Sequence, residues 1–319
     1  MAARRVIGID AGGTKLLGGV VDDELTVHAR VHRLWDRTDK SSVLQKMVEE
    51  VTAALEVAPD AEAVGFGIPS LVDRTRAVSQ WSNHLDLDDV AFRDLMSERL
   101  GLPVYIENDA NAALLAEREY GAARGASDAL LLTLGTGIGG ALSLGGRLHR
   151  GATGSAGELG HVVVDMNGPP CPGKCPNRGC LEVMASGNAI GREGEAAARS
   201  APDSALGQAL AAGRVVSGAL VTELAHDGDA VAQGVLSLVG QRLGVGLASL
   251  VNAFDPEVIV IGGGAIAADE MLLEPARAEM RARALPPPRD SVRVVRTHFG
   301  EEAGMLGAAL VALGRGEAL

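Results

Sequence analysis

Two segments of this chain repeat one pattern: an apolar strand-forming run, a polar glycine turn, and a second apolar run that returns. The first is IGIDAGGTKLLGGVV, starting at Ile7, and the second is LTLGTGIGGALSL, starting at Leu132. Apolar, β-prone runs on either side of a glycine cluster read as strand–turn–strand. A repeated supersecondary unit of this kind predicts two lobes, each opening on its own glycine hairpin. The length agrees, since 319 residues exceed what one typical hydrophobic core organises.

Between and after the hairpins the pattern alternates strand with helix. Ser41–Glu56 carries Val43, Met47, Val51 and Leu55 four apart, the stripe of an amphipathic helix. Strands are predicted over residues 26–34, 63–69 and 104–109, helices over 89–100 and from Ala110 to Tyr120. Residues 186–252 read mostly as helix. VIVIGGGAI (258–266) reads as a buried strand entering a glycine turn and then a helix, and 292–297 and 305–313 as a last strand and a closing helix. Hydrophobic residues make up 47% and aromatic residues 3%, with 42 glycines, so the expected packing is Val, Leu and Ala in an α/β protein.

The charge balance narrows the function classes. A net charge of −12 argues against general nucleic-acid binding. The N-terminus enters a strand pattern almost at once, leaving no room for a signal peptide. The best candidate for a membrane span, residues 234–251, is interrupted by Gln241 and Arg242. A cytoplasmic protein without membrane partners is expected.

All three cysteines fall in CPGKCPNRGCLE (171–182), shortly after GELGHVVVD (157–165). Three thiols and an imidazole are the donor set of a closed tetrahedral zinc site, with His161, Cys171, Cys175 and Cys180 as ligands. Glu158 and Glu182 bracket the run, where a metal-stiffened loop could hold them toward a ligand.

Each remaining motif has a bland reading beside a functional one. IGIDAGGTK approaches a Walker A loop, but a strand follows it, not the helix a P-loop needs. What survives is a turn whose backbone N–H groups can approach an anion, with a hydroxyl on Thr14 and a carboxylate on Asp10 that could hold Mg²⁺ through water. GTGIGG (135–140) fails the dinucleotide test for the same reason and reads as a second phosphate-cradling hairpin. Asn108 and Asp109 end a strand where ligands collect in α/β proteins, yet Asp109 could simply cap the helix that follows. The three glycines at 262–264 could admit a flat ring or serve only tight packing.

Taken in order, these segments resemble the ROK family (repressors, open reading frames and sugar kinases) of the hexokinase/actin-like ATPase superfamily. The similarity runs from Ile7 to about Leu313 through the DxGGTK hairpin, the END strand end, GTGIGG, and ExGH followed by the cysteine loop. It implies an α/β, two-lobed fold with a ligand cleft between lobes, expected as residues 1–115 plus 300–319 and residues 116–299. It implies ATP-dependent phosphorylation of a hexose, glucose first, with mannose, fructose, N-acetylglucosamine or N-acetylmannosamine as alternatives and a non-catalytic sugar-sensing regulator behind them. Some relatives use polyphosphate as donor.

By the same resemblance Asp109 is the catalytic base, and Asn83, Asn108, Glu158, His161 and Glu182 surround the sugar. Asp10, Gly12, Gly13, Thr14, Lys15, Thr136 and Gly137 serve the phosphates and Mg²⁺, and Gly263 and Gly264 the adenosine side. The zinc is expected to be structural, and a dimer or tetramer is expected. Two departures stand out. The commoner family pattern, CxCGxxGCxE, holds its first two thiols closer than Cys171 and Cys175, and Pro176 stands where its glycine usually follows. Ser70 replaces a glycine after Pro69.

Overall fold

The computed structural model describes residues 4–12, 15–34, 40–73, 76–82 and 85–315. In chain order the first half contains β1 (Arg5–Ala11), β2 (Lys15–Asp22), β3 (Val27–Leu34), α1 (Lys40–Val57), β4 (Val64–Ile68), β5 (Leu71–Asp73), β6 (Val78–Trp81), α2 (Phe92–Leu100), β7 (Val104–Asn108) and α3 (Asp109–Tyr120). Then follow β8 (Ala129–Leu134), β9 (Ile138–Leu144), β10 (Arg147–Leu148), α4 (Leu181–Ala185), α5 (Gly187–Ser200), α6 (Ala205–Ala211), α7 (Gly218–His226) and α8 (Ala230–Phe254). The chain closes with β11 (Val258–Gly262), α9 (Glu270–Arg283), α10 (Pro288–Ser291), β12 (Arg293–Arg296) and α11 (Ala303–Ala312).

The hairpin repeat matures into two sheets of one topology. The first has strand order β3-β2-β1-β4-β7 and the second β10-β9-β8-β11-β12. In the first, β1–β2 and β2–β3 are antiparallel, whereas β1–β4 and β4–β7 are parallel. In the second, β9–β10 is antiparallel while β8–β11 and β11–β12 are parallel. Parallel strands need crossover helices, so their faces are covered and their sequences read as continuous apolar runs, as VIVIG in β11 does.

The chain forms two compact units, one of Met1–Ser127, Ala141–Gly157 and Thr297–Leu319, the other of Asp128–Gly140 and Glu158–Arg296. Against the expected bounds, the first break falls at Ser127, beyond α3, and residues 141–157 join the first unit. In the first unit α11 lies directly on the sheet and on α3. A Cβ on Gly8 would come 2.2 Å from the Met305 carbonyl, one on Gly65 would come 1.9 Å from that of Ala308, and one on Gly307 would come 1.7 Å from that of Ala112. Gly8 and Gly65 let helix backbone rest on strand backbone, and Gly307 lets α11 rest on α3.

In the second unit α8 is long and apolar enough by length and composition to span a bilayer, contrary to the sequence expectation. Its apolarity is used inside the unit: Val235, Leu236, Val239, Leu243, Leu247 and Leu250 are all buried. Its glycines let α9 approach, with Gly240 against the Leu272 carbonyl and Gly244 against that of Ala276. One further expectation changes. The glycines after β11 enter a short 3-10 turn, Gly264–Ala268, and the helix begins only at Glu270.

Candidate active site and metal centre

In the first unit the strand end at β7 and the start of α3 form one device. Asn108 is the N-cap, its Oδ1 accepting from the Asn111 N–H at 3.1 Å. Asp109 is thus the first helical residue and not the cap, which removes the capping explanation for its carboxylate. Its Oδ1 accepts from the adjacent Ala110 N–H at 2.9 Å. Asp10 is the penultimate residue of β1, two strands away in the same sheet, and a Cβ on Gly304 in the first turn of α11 would lie 2.6 Å from Asp10 Oδ2.

Asp10 and Asp109 keep some solvent access yet are surrounded by protein, and both carboxyls are held above the usual carboxylate range. Desolvation pushes Asp10 up to about 7, the charge on Asp109 pushes the same way, and Lys15 opposes them. Desolvation also raises Asp109, against the hydrogen bonds from Ala110 and Asn108. Crowded hard-oxygen donors of this kind suit a Mg²⁺ ion, which would relieve the strain of two neighbouring carboxylates. Lys15, expected near phosphate, pairs with Glu301. Gly12 ends β1's hairpin arm, and Gly13, Thr14 and Asn83 lie outside the described residues.

The Ser70 departure resolves as local structure. Its hydroxyl is buried between Ser79 Oγ at 2.5 Å and the Trp81 carbonyl at 2.9 Å, so it fastens the β5–β6 hairpin. Its own carbonyl accepts from Asn108 Nδ2 at 3.4 Å.

The second unit holds the candidate metal centre. The ligand atoms of His161, Cys171, Cys175 and Cys180 all lie within 4.8 Å of one another. Cys175 Sγ is 4.0 Å from Cys180 Sγ, and Cys171 Sγ is 3.5 Å from His161 Nδ1. A zinc tetrahedron has S–S and S–N edges of about 3.5–3.8 Å, so the four donors fit. The unusual spacing does not exclude Cys171. Gly173 adopts a φ of +71°, and the Cys171 N–H donates to the Asn177 carbonyl at 2.9 Å, folding the longer loop back on itself. Burial and the neighbouring thiols push the Cys171 thiol up, and burial does the same to Cys180. A cation is what would make such thiols thiolates.

Two carboxylates flank the cluster in different ways. Glu158 is half-exposed, with Oε2 3.8 Å from His161 Nε2, the ring nitrogen turned away from the thiols. Glu182, at the start of α4, is buried. Its Oε2 accepts from the Ile138 N–H at 2.9 Å, and its Oε1 faces Cys171 Sγ at 3.9 Å. Glu182 therefore joins the cysteine loop to the β8–β9 hairpin that carries exposed Thr136 and Gly137. Gly263, with φ +85°, backs onto that same hairpin, since its Cβ would meet the Leu134 carbonyl at 2.4 Å; Gly264 faces open space. Gly263 is thus explained by packing, and Gly264 is the glycine a ligand could lie against.

Sequence reasoning passed over several charges buried in the first unit, Glu107, Glu117 and Arg150 among them. Glu107 pairs with Arg150, and Glu117 accepts from the His298 and Phe299 N–H groups at 2.9 and 3.0 Å. A glutamate inside an apolar helix (ALLAE) was the available signal for Glu117.

Comparison with known proteins places this geometry. The model of the ROK family matches residues 6–315. Over 315 residues the chain is 35% identical to a glucokinase of Thermotoga maritima, covering 98% of each. The solved structure of a ROK family glucokinase from Streptomyces griseus, in complex with glucose and AMPPNP, matches with a TM-score of 0.88 at 34% identity, covering 97% of this chain and 99% of that one. A xylose repressor of Bacillus spizizenii is 28% identical, over 96% of this chain and 76% of the repressor.

Proposed function

This chain belongs to the ROK family, and on that premise we propose that it transfers the γ-phosphoryl group of ATP to a hexose, glucose at its 6-hydroxyl before the others. The observation that carries the mechanism is Asp109: a carboxylate at a strand end, first in its helix, free of capping duty and made more basic by desolvation. The 6-oxygen forms its bond to the γ-phosphorus as the bridging bond to ADP breaks, and the hydroxyl proton passes to Asp109. Phosphoryl transfer asks mainly for positioning and charge neutralisation, with one base in reach of the nucleophile.

Asn108, Glu158, His161 and Glu182 bind the sugar in this reading, together with Asn83. Amides and carboxylates suit adjacent hydroxyls because between them they donate and accept. Cys171 cannot donate to Glu182 Oε1 once it is a thiolate, which leaves that oxygen open to a sugar hydroxyl. Asp10 holds the Mg²⁺ that accompanies ATP, Gly12, Gly13, Thr14, Thr136 and Gly137 serve its phosphates, and Gly264 serves the adenosine.

His161, Cys171, Cys175 and Cys180 hold a structural Zn²⁺. Four protein ligands leave no open position for water, so the ion supplies rigidity and not chemistry. The reading carries with it a cytoplasmic enzyme working as a dimer or tetramer on a small sugar, without nucleic-acid or membrane partners.

A coupled assay of ADP release tests this with Mg-ATP and a panel of glucose, mannose, fructose, N-acetylglucosamine and N-acetylmannosamine. Turnover highest on glucose supports it; no turnover on any sugar would sink it, and polyphosphate in place of ATP settles the donor. The repressor match favours a second reading, a sugar-sensing regulator. Such a protein would bind a sugar in calorimetry while consuming no ATP.

A further inference from the structure

Glu107 immediately precedes Asn108 and Asp109, and it is only 4% exposed. Arg150, on the segment after β10, donates to Glu107 Oε2 through Nε at 2.9 Å and Nη2 at 2.6 Å. Glu107 Oε1 accepts from the Asn108 N–H and from Asn111 Nδ2, each at 3.1 Å. A buried ion pair is a poor source of net stability, because desolvating two charges offsets most of their attraction; apolar residues of similar volume often serve as well.

What this pair does supply is direction. The bonds of the Glu107 carboxylate other than those to Arg150 end, among the described residues, on the strand end and on the first turn of α3. One fixes the Asn108 peptide, next to Asp109. The other holds the Asn111 amide one turn along, although this leaves Asn111 Oδ1 buried with no partner among the described residues. Both guanidinium N–H groups converge on Oε2, which leaves Oε1 to the Asn108 N–H and the Asn111 amide; a single ammonium would not supply the paired, planar donors.

We propose that Arg150 and Glu107 are a positioning pair that aims the Asp109 carboxylate at the sugar hydroxyl, contributing to kcat without touching either substrate. The inference rests on Asp109 being the base. Misplacing a reacting group by an ångström can cost ~10²-fold in rate, so Glu107→Gln and Arg150→Lys are expected to lower kcat by roughly 10- to 100-fold. KM for glucose and for ATP should stay within about threefold, the mark of lost transition-state alignment without lost binding.

The separating experiment is the paired variant Glu107→Leu/Arg150→Met, with melting temperature and kinetics measured together. A melting temperature near that of the parent with kcat still low supports positioning. Parental kcat in the pair, or losses in the single variants that track only the folded fraction, would overturn it. Asp109→Ala is the control. If Asp109→Ala is inactive while Glu107→Gln keeps full kcat, the positioning role fails alone. If Asp109→Ala turns over normally, the base assignment and the positioning role fall together.

Discussion

Gly137 and Glu182 share one volume: a Cβ at Gly137 would lie 2.2 Å from Glu182 Oε2, the same oxygen that accepts from the Ile138 N–H. The glycine of the second hairpin is therefore what admits a carboxylate from the cysteine loop. Gly137→Ala must push Glu182 aside and break that hydrogen bond. KM for glucose is expected to rise about tenfold or more, the size of one lost hydrogen bond to a charged group. Glucose calorimetry reads this directly, and unchanged affinity would remove Glu182 from the sugar contacts.

Asp109→Ala should lower kcat by about 10²–10⁴-fold, the usual worth of general-base catalysis. Glucose binding should persist, because the neighbouring amides remain. Retained turnover with glucose bound would exclude Asp109 as the base.

Asp10 has an effect of opposite sign on stability and on activity. Its carboxyl stands at about 7 in the folded protein against 3.8 when unperturbed. The proton is thus held more tightly folded than unfolded, so the contribution to stability is complete below about pH 4 and lost as pH rises toward 7. Without Mg²⁺ or nucleotide, Asp10→Asn should melt higher than the parent at pH 8, with the difference vanishing near pH 4. The same variant should lose most turnover with Mg-ATP. A parent whose melting temperature matches that of Asp10→Asn at both pH values would contradict the shift.

Cys175→Ser or Cys180→Ser should lose the metal by elemental analysis, lower the melting temperature, and worsen both KM for glucose and kcat. In the proposed reading Glu158 and Glu182, at the two ends of this loop, bind the sugar, so loosening it should affect binding and alignment together. A variant free of metal and fully active would show that the cluster does not organise the site.

Local signals made much of this legible. The glycine hairpins, the strand ends at Asp10 and Asn108, and the cysteine loop are short-range features, readable because turns, caps and ligand spacings are set by residues close in sequence. The start of α3 shows the limit of such reading. Asn108 and Asp109 are both good caps, and which one caps depends on backbone angles that the sequence leaves open. Arg150 and Glu107 are 43 positions apart in the chain, and no periodicity connects them. Gly8 and Gly65 lie under α11, and Gly307 in α11 meets α3, close approaches that no local pattern encodes.

The sequence by itself determined the repeated glycine hairpin, one opening each lobe, because alternation and turn chemistry act over a few residues. It also set the identity of the four soft donors. Only the tertiary structure decided that Cys171 closes the cluster despite its spacing, that Glu182 links that cluster to the second hairpin, and that Asp109 is desolvated beside Asp10 and backed by a buried ion pair. Those relationships arise from contacts between distant segments, whose distances are fixed only when the helices close over their sheets.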